Sequence, residues 1–169
     1  DDKDIKLNNY ALGEKEEERN FNIMSQTGAS SFNNVNNDSR WIEVRSKEYK
    51  TTIEEFIQTT KVSISTLDKY VLQNKINQID LLKIDTQGYE DKVLQGSADS
   101  LKQNKIKAIV TEIIFDDVYD KYFSFSDLEK FLLPNNFRMV GIYLYSNSLF
   151  GNLTFFADVV YFNKNHYKL

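Results

Sequence analysis

Residues 79–96, Ile-Asp-Leu-Leu-Lys-Ile-Asp-Thr-Gln-Gly-Tyr-Glu-Asp-Lys-Val-Leu-Gln-Gly, constrain the fold more than any other stretch of the chain. Ile79, Leu81, Leu82 and Ile84 make a short apolar run that suits a strand covered on both faces in a parallel sheet. Gly88 supplies the backbone freedom a tight turn needs. From Tyr89 the period becomes helical: Val93, Leu94, Ala98 and Leu101 share one side of a wheel, with Asp91, Lys92, Gln95, Asp99 and Lys102 opposite. Strand, turn and helix in this order put Asp85 at the C-terminal end of a parallel strand, where open α/β sheets bind their ligands. A carboxylate there is either the first candidate for chemistry or a residue that only organises the turn.

Composition narrows the classes of function. With 169 residues, 41% of them hydrophobic, residues 1–169 are long enough for a single domain with a real core. The net charge of −4 argues against a nucleic-acid partner, because phosphate binding wants a basic face. The absence of cysteine excludes disulfides, zinc-thiolate sites and a thiol nucleophile. The lone histidine, His166, reads as a frayed surface residue near the C-terminus, which leaves no histidine-based triad. No apolar run approaches ~18 residues and no signal peptide opens the chain, so neither a membrane span nor export is expected, and the location expected is cytoplasmic. The opening Asp-Asp-Lys-Asp, without Met, suggests further residues upstream.

Along the chain, residues 5–12 alternate like a strand and reach a turn at Gly13; the charged run Glu14–Arg19 reads as a hairpin tip, with Phe21, Ile23 and Met24 on the returning strand. Residues 26–40, rich in Ser, Asn and Gly, form a long loop, either flexible or a lid. Trp41–Arg45 reads as a short strand, and residues 52–60 fit helix or strand equally. Lys61–Leu67 alternates as a half-exposed strand, and Thr66 caps the next helix. Ile106–Phe115 is a second apolar strand interrupted by Glu112, a carboxylate whose burial costs several kcal/mol unless it is paired or faces a cavity. It is expected to line a site or to form a salt bridge at a sheet edge. Ser124–Leu133 is an amphipathic helix closed by Pro134, with Leu128, Phe131 and Leu132 inward and Ser124 or Ser126 as its cap. Residues 137–145 and 155–162 are two more strands joined across 146–151, so that end of the sheet is expected to be antiparallel.

These motifs resemble the FkbM family of S-adenosylmethionine-dependent methyltransferases. The likeness rests on STLDKYVLQNKINQIDLLKIDTQGYEDKVLQG at 65–96, with NYALGEKEEERNFNIM at 9–24 and GASSF at 28–32. IVTEIIF at 109–115, FLLPNNF at 131–137 and ADVVYFNK at 157–164 follow in the family's order. Gln87 stands where many members carry Glu. The resemblance implies a Rossmann-like α/β fold of the class I methyltransferase type, mainly parallel with an antiparallel C-terminal hairpin. It also implies methyl transfer from S-adenosylmethionine to a hydroxyl of a sugar or secondary metabolite. Asp85 would be the carboxylate that orients or deprotonates the acceptor hydroxyl, and Glu112, read from its own strand, is the second candidate catalytic residue. Asn8, Asn9 and Ala11 would lie near the adenine, Ser31 in a segment closing over it, and Thr86, Gln87 and Gly88 along the same crevice. Tyr143, Tyr145, Phe150, Phe155 and Phe156 would either stack on a sugar acceptor or belong to the core. Asp85, Glu90 and Glu112 offer oxygen ligands, but no metal-ligand spacing demands a metal, and none is expected.

One departure is large. Family members carry, ahead of the region matching NYALG, a glycine-rich loop for the methionine part of the cofactor and an acidic residue for its ribose. The six glycines here, at 13, 28, 88, 96, 141 and 151, include no two close enough for such a loop. The first two strands of the family's sheet are therefore expected to be absent, leaving 79–84 with an open edge that invites pairing with a second copy. The competing readings are a catalytically silent binding or scaffolding module and an unrelated small α/β domain.

Overall fold

In the computed structural model, residues 5–25, 27–50, 57–121, 123–146 and 151–167 are described. They form two sheets. The first has the order β1–β3–β2, from β1 (Ala11–Leu12), β2 (Glu17–Met24) and β3 (Ile57–Ser65). The second has the order β4–β5–β7–β6, from β4 (Ile79–Ile84), β5 (Ile106–Ile114), β6 (Phe137–Ser146) and β7 (Thr154–Asn163). The helices are α1 (Arg40–Tyr49), α2 (Leu67–Gln73), α3 (Glu90–Gln95), α4 (Ala98–Lys102) and α5 (Phe125–Leu132).

The expected mainly parallel sheet is corrected in two ways: there are two sheets, and antiparallel pairings outnumber parallel ones. β1 with β3 and β4 with β5 are parallel; β2 with β3, β5 with β7 and β6 with β7 are antiparallel. The expected hairpin between 5–12 and 21–24 is not formed either. β3 lies between β1 and β2 and takes hydrogen bonds from both, so only Ala11 and Leu12 of the anticipated first strand find a ladder partner. Residues 5–9 are exposed and not in a strand.

Trp41–Arg45 is helix, not strand. Ser39 caps α1 by accepting from the Ile42 amide at 3.3 Å, and Lys50 ends it in the left-handed conformation at φ 51°. Helical spacing lets Trp41 and Ile42 pack with Met24, Val35, Val118 and Tyr119 in one cluster, which outweighs their strand propensity. The undecided segment at 52–60 resolves into β3 from Ile57; residues 51–56 lie outside the described residues, as does Phe150.

The helix expected to run on from Tyr89 breaks at Gly96. A Cβ built there would lie 1.9 Å from the carbonyl oxygen of Gly13, so this close approach of two backbones requires glycine. α4 then starts without a cap of its own; the Asp68 carboxylate, from α2, accepts from the amides of Asp99 and Ser100 at 2.8 Å each. The main core lies between the second sheet and α2–α5, centred on Ile106, Ile109, Leu128, Leu132, Phe137 and Tyr161. Ser124 caps α5 in a capping box with Asp127, and Pro134 follows in a 3₁₀ turn. His166 is not frayed: its Nε2 lies 2.6 Å from the carbonyl oxygen of Asn104.

β4 is the outer strand of its sheet, with no strand on its other side among the described residues. This is the open edge expected at 79–84, while the expected cover on both faces is corrected by exposure on one of them. Leu81 is 58% exposed there.

Candidate functional site

The site is built on the C-terminal ends of two adjacent parallel strands. β4 ends at Ile84 and delivers Asp85; β5 carries Glu112 one residue beyond its last pairing with β4, Ile84 to Thr111. Between them the chain turns through Gln87 (φ 54°) and Gly88 (φ 87°), both left-handed. A left-handed glutamine is held there only when its surroundings fix it, and those surroundings are explicit. Ser31 Oγ donates to the Gln87 carbonyl at 2.7 Å, and Asn33 Nδ2 donates to the Gly88 carbonyl at 2.6 Å. The Glu90 carboxylate accepts from the Thr86 amide at 2.9 Å and the Thr86 hydroxyl at 3.1 Å.

Held this way, the Gln87 side chain bridges two carboxylates. Its Nε2 donates to Asp85 Oδ1 at 3.0 Å and to Glu112 Oε1 at 2.9 Å. Lys83 closes the far side of Asp85 with an ion pair at 2.8 Å. Asp85 is pushed up by partial burial, but its bonds from Lys83 and Gln87 outweigh this and hold it below the usual carboxylate range. Glu112 moves the other way. Burial first, then the charge of Asp85, pushes it up to about 7, and the Gln87 bond only partly opposes this. Glu112 has no ion pair among the described residues, so the alternative of a salt-bridged edge is not what its surroundings show. Glu90, almost wholly buried, is raised by burial against the hydrogen bonds it accepts.

Two residues that sequence reasoning missed join this set. Asp158 of β7 lies directly opposite Glu112 in the ladder and helps raise it. Like charges facing each other across strands are destabilising, and the signal was present: a carboxylate within the apolar run at 157–162. Tyr119 donates to the Ala29 carbonyl at 2.9 Å and lies 3.5 Å from Gln87 Oε1; burial and the neighbouring carboxylates push its hydroxyl up.

A cavity of about 240 Å³ opens in front of Glu112 and Gln87, with Trp41, Tyr119, Phe155 and Phe156 on its walls. Phe155 and Phe156 thus border a cavity, whereas Tyr143 is exposed on β6 and Tyr145 stacks on Phe156 at 4.6 Å. A second, more apolar slot of about 270 Å³ separates Ala11 and Leu12 from Leu82 to Thr86, with Phe32 and Tyr89 beside it. The structure brings Asp85, Thr86, Gln87, Gly88 and Glu112 together. It sets Ala11 on the slot, while Asn8 and Asn9 are exposed upstream and do not line it. The Ser31 hydroxyl is engaged in holding the turn; its neighbour Ser30 lines the slot. No three metal-ligating side chains converge among the described residues.

A family model for the methyltransferase FkbM domain matches residues 1–139, which includes Asp85, Gln87 and Glu112. The chain belongs to the FkbM methyltransferase family. No curated protein and no solved structure matches it. Within this FkbM chain the matched stretch ends inside β6, so β7, with Phe155, Phe156 and Asp158, lies beyond it.

S-adenosylmethionine is the cofactor this family implies, and the residues present fit it in part. The slot between Ala11 and Ile84 is mainly apolar, as a purine needs, and Asp85 is among the residues that line it. For the amino-acid end of the cofactor the FkbM chain offers no glycine-rich turn, because its six glycines are too far apart in sequence.

Proposed function

We propose that this domain transfers a methyl group from S-adenosylmethionine to a hydroxyl of a sugar or secondary metabolite bound in the cavity before Glu112. The observation that carries the reading is the bridged pair Asp85–Gln87–Glu112, in which neighbouring carboxylates are driven in opposite directions. Two titratable groups pushed apart by their environments divide acid–base work between them. S-adenosylmethionine, when bound, supplies an activated methyl group. A hydroxyl is a poor nucleophile until its proton has somewhere to go. Glu112, poised at about 7, accepts that proton at Oε2, while its Oε1 is steadied by Gln87. Asp85 remains anionic and orients the acceptor hydroxyl as a hydrogen-bond acceptor, the first of the two roles, orienting or deprotonating, that the resemblance leaves to it.

A second reading, a methyltransferase-like binding module without turnover, draws on the absence of a glycine-rich loop. Calorimetry with S-adenosylmethionine separates the two. Binding at or below millimolar cofactor supports the enzyme, and no heat there counts against it. Asp85→Asn should then abolish methyl transfer to a panel of methyl glycosides while leaving cofactor affinity within about tenfold. An unchanged rate removes Asp85 from the reaction.

A further inference from the structure

The cavity before Glu112 is lined by a basic side chain as well as an acidic one. Arg45 lines it from α1, one turn after Trp41, with its guanidinium carbon 6.0 Å from the centre of the Trp41 ring. The Arg45 side chain is only 15% exposed. Its Nη1 pairs with Glu48, which sits outward at 43% exposure. Its Nε is buried and has no hydrogen-bond partner among the described residues. A buried donor on a cationic group that lacks a partner costs free energy, which a ligand oxygen would recover. A guanidinium presents Nε and one Nη as a planar fork that matches a carboxylate; Glu48 on Nη1 leaves Nε unpaired, and because Nε is covered in the unliganded chain, a carboxylate engages it only as the side chain turns toward the cavity.

The remaining lining fixes what such a ligand looks like. Phe155 and Phe156 are half-buried rings on its wall, suited to the C–H face of a sugar or to another flat ring, while Trp41 and Tyr119 are buried and add little surface. Glu112 and Gln87, on the same lining, suit hydroxyls. Arg45 and Glu112 are not ion-paired with each other among the described residues, so both are left for a ligand. Glu112, with the charges of Asp85 and Asp158 close by, would repel an anion from its side of the cavity, which orients the ligand.

We infer that this cavity selects an anionic ring acceptor, of the uronic-acid type, with Arg45 holding its carboxylate and Glu112 facing its hydroxyl. The inference rests on reading the cavity as the acceptor site, but its test needs no turnover. The same carboxylate chemistry is present in the amino-acid end of S-adenosylmethionine, so the experiment separates the two sources. Methyl β-D-glucuronide, methyl β-D-glucoside and S-adenosylmethionine are each titrated into the wild-type chain, Arg45→Gln and Glu48→Gln, with binding followed by NMR. The glucuronide should bind at least tenfold more tightly than the glucoside, and it alone should shift the Arg45 Nε–H resonance. Arg45→Gln should bring the glucuronide to the level of the glucoside and leave S-adenosylmethionine unchanged; Glu48→Gln should retain the preference. Equal binding of the two sugars, no binding of either at tens of millimolar, or an Arg45→Gln loss falling on S-adenosylmethionine overturns the assignment. The Nε–H shift in the wild-type chain decides the matter even if Arg45→Gln fails to fold. Absence of S-adenosylmethionine binding would sink the methyl-transfer proposal and leave the sugar result standing.

Discussion

Gln87 and Glu112 meet through a single hydrogen bond, Nε2 to Oε1 at 2.9 Å, and the same amide nitrogen also reaches Asp85. One neutral side chain thereby holds two carboxylates whose charges repel. Removing it should be felt at both. Gln87→Leu is expected to push Glu112 further above its ordinary range and to move Asp85 upward as well, with Lys83 still holding it down in part, read by carboxyl-carbon NMR titration.

The raised Glu112 makes stability depend on pH in a direction that can be checked. Its ordinary value is 4.5 and its folded value about 7, so between these the folded chain holds more proton than the unfolded one. Stability therefore falls as pH rises through this window. Glu112→Gln should match the wild type near pH 5 and be more stable at about pH 8, by on the order of 1–2 kcal/mol once screening at a partly exposed carboxylate is allowed for. Parallel melting-temperature curves across this range would contradict the burial assigned to Glu112.

Glu90 acts on the turn rather than on a ligand, since its carboxylate is occupied by the Thr86 amide and hydroxyl. Glu90→Gln keeps an acceptor oxygen and should change stability by no more than about 1 kcal/mol. Glu90→Leu strands both Thr86 donors and should cost roughly 2–4 kcal/mol in urea unfolding. Equal costs for the two variants would mean that charge, not acceptance, matters there.

Gly88 and Gly96 are required for different reasons. At Gly88 the backbone is left-handed (φ 87°) and a Cβ would lie 2.8 Å from the Tyr119 ring. Gly88→Ala should cost roughly 1–3 kcal/mol and displace Tyr119, visible in the near-ultraviolet circular dichroism. Gly96 has an ordinary φ of −75°, but its Cβ would collide with the Gly13 carbonyl at 1.9 Å. Gly96→Ala should cost about 3 kcal/mol or more. Gly28→Ala, where a Cβ meets nothing within 4 Å, should lie within about 0.5 kcal/mol of the wild type.

Much of the second sheet was legible because its signals are local. The apolar run at 79–84, the Ser124 cap and the stop at Pro134 each declare themselves within a few residues. The first sheet was not, since β3 takes both neighbours by long-range pairing that alternation alone cannot assign. α1 was misread because aromatic and β-branched residues raise strand propensity while tertiary burial chose the helix. The helix also decides the cavity wall: in a strand Trp41 and Arg45 would share a face yet stand about 13 Å apart, whereas the helical rise sets the Arg45 guanidinium 6.0 Å from the Trp41 ring. Asp85 and Glu112 could be singled out from their strands, whereas the bridge between them depends on the conformation of Gln87, which Ser31 and Asn33 fix from 55 or more residues away.

Those two contacts have a wider consequence. Both acids belong to one sheet, yet the turn that spaces them is tied down by side chains that follow β2 of the other, through Ser31 to Gln87 and Asn33 to Gly88. The chemistry is thus owned by neither half. A cut that let the two sheets fold apart would leave Asp85 and Glu112 on an intact strand pair and still misplace the amide that sets their distance, so any dissection of this chain must keep residues 31–33 with 85–90.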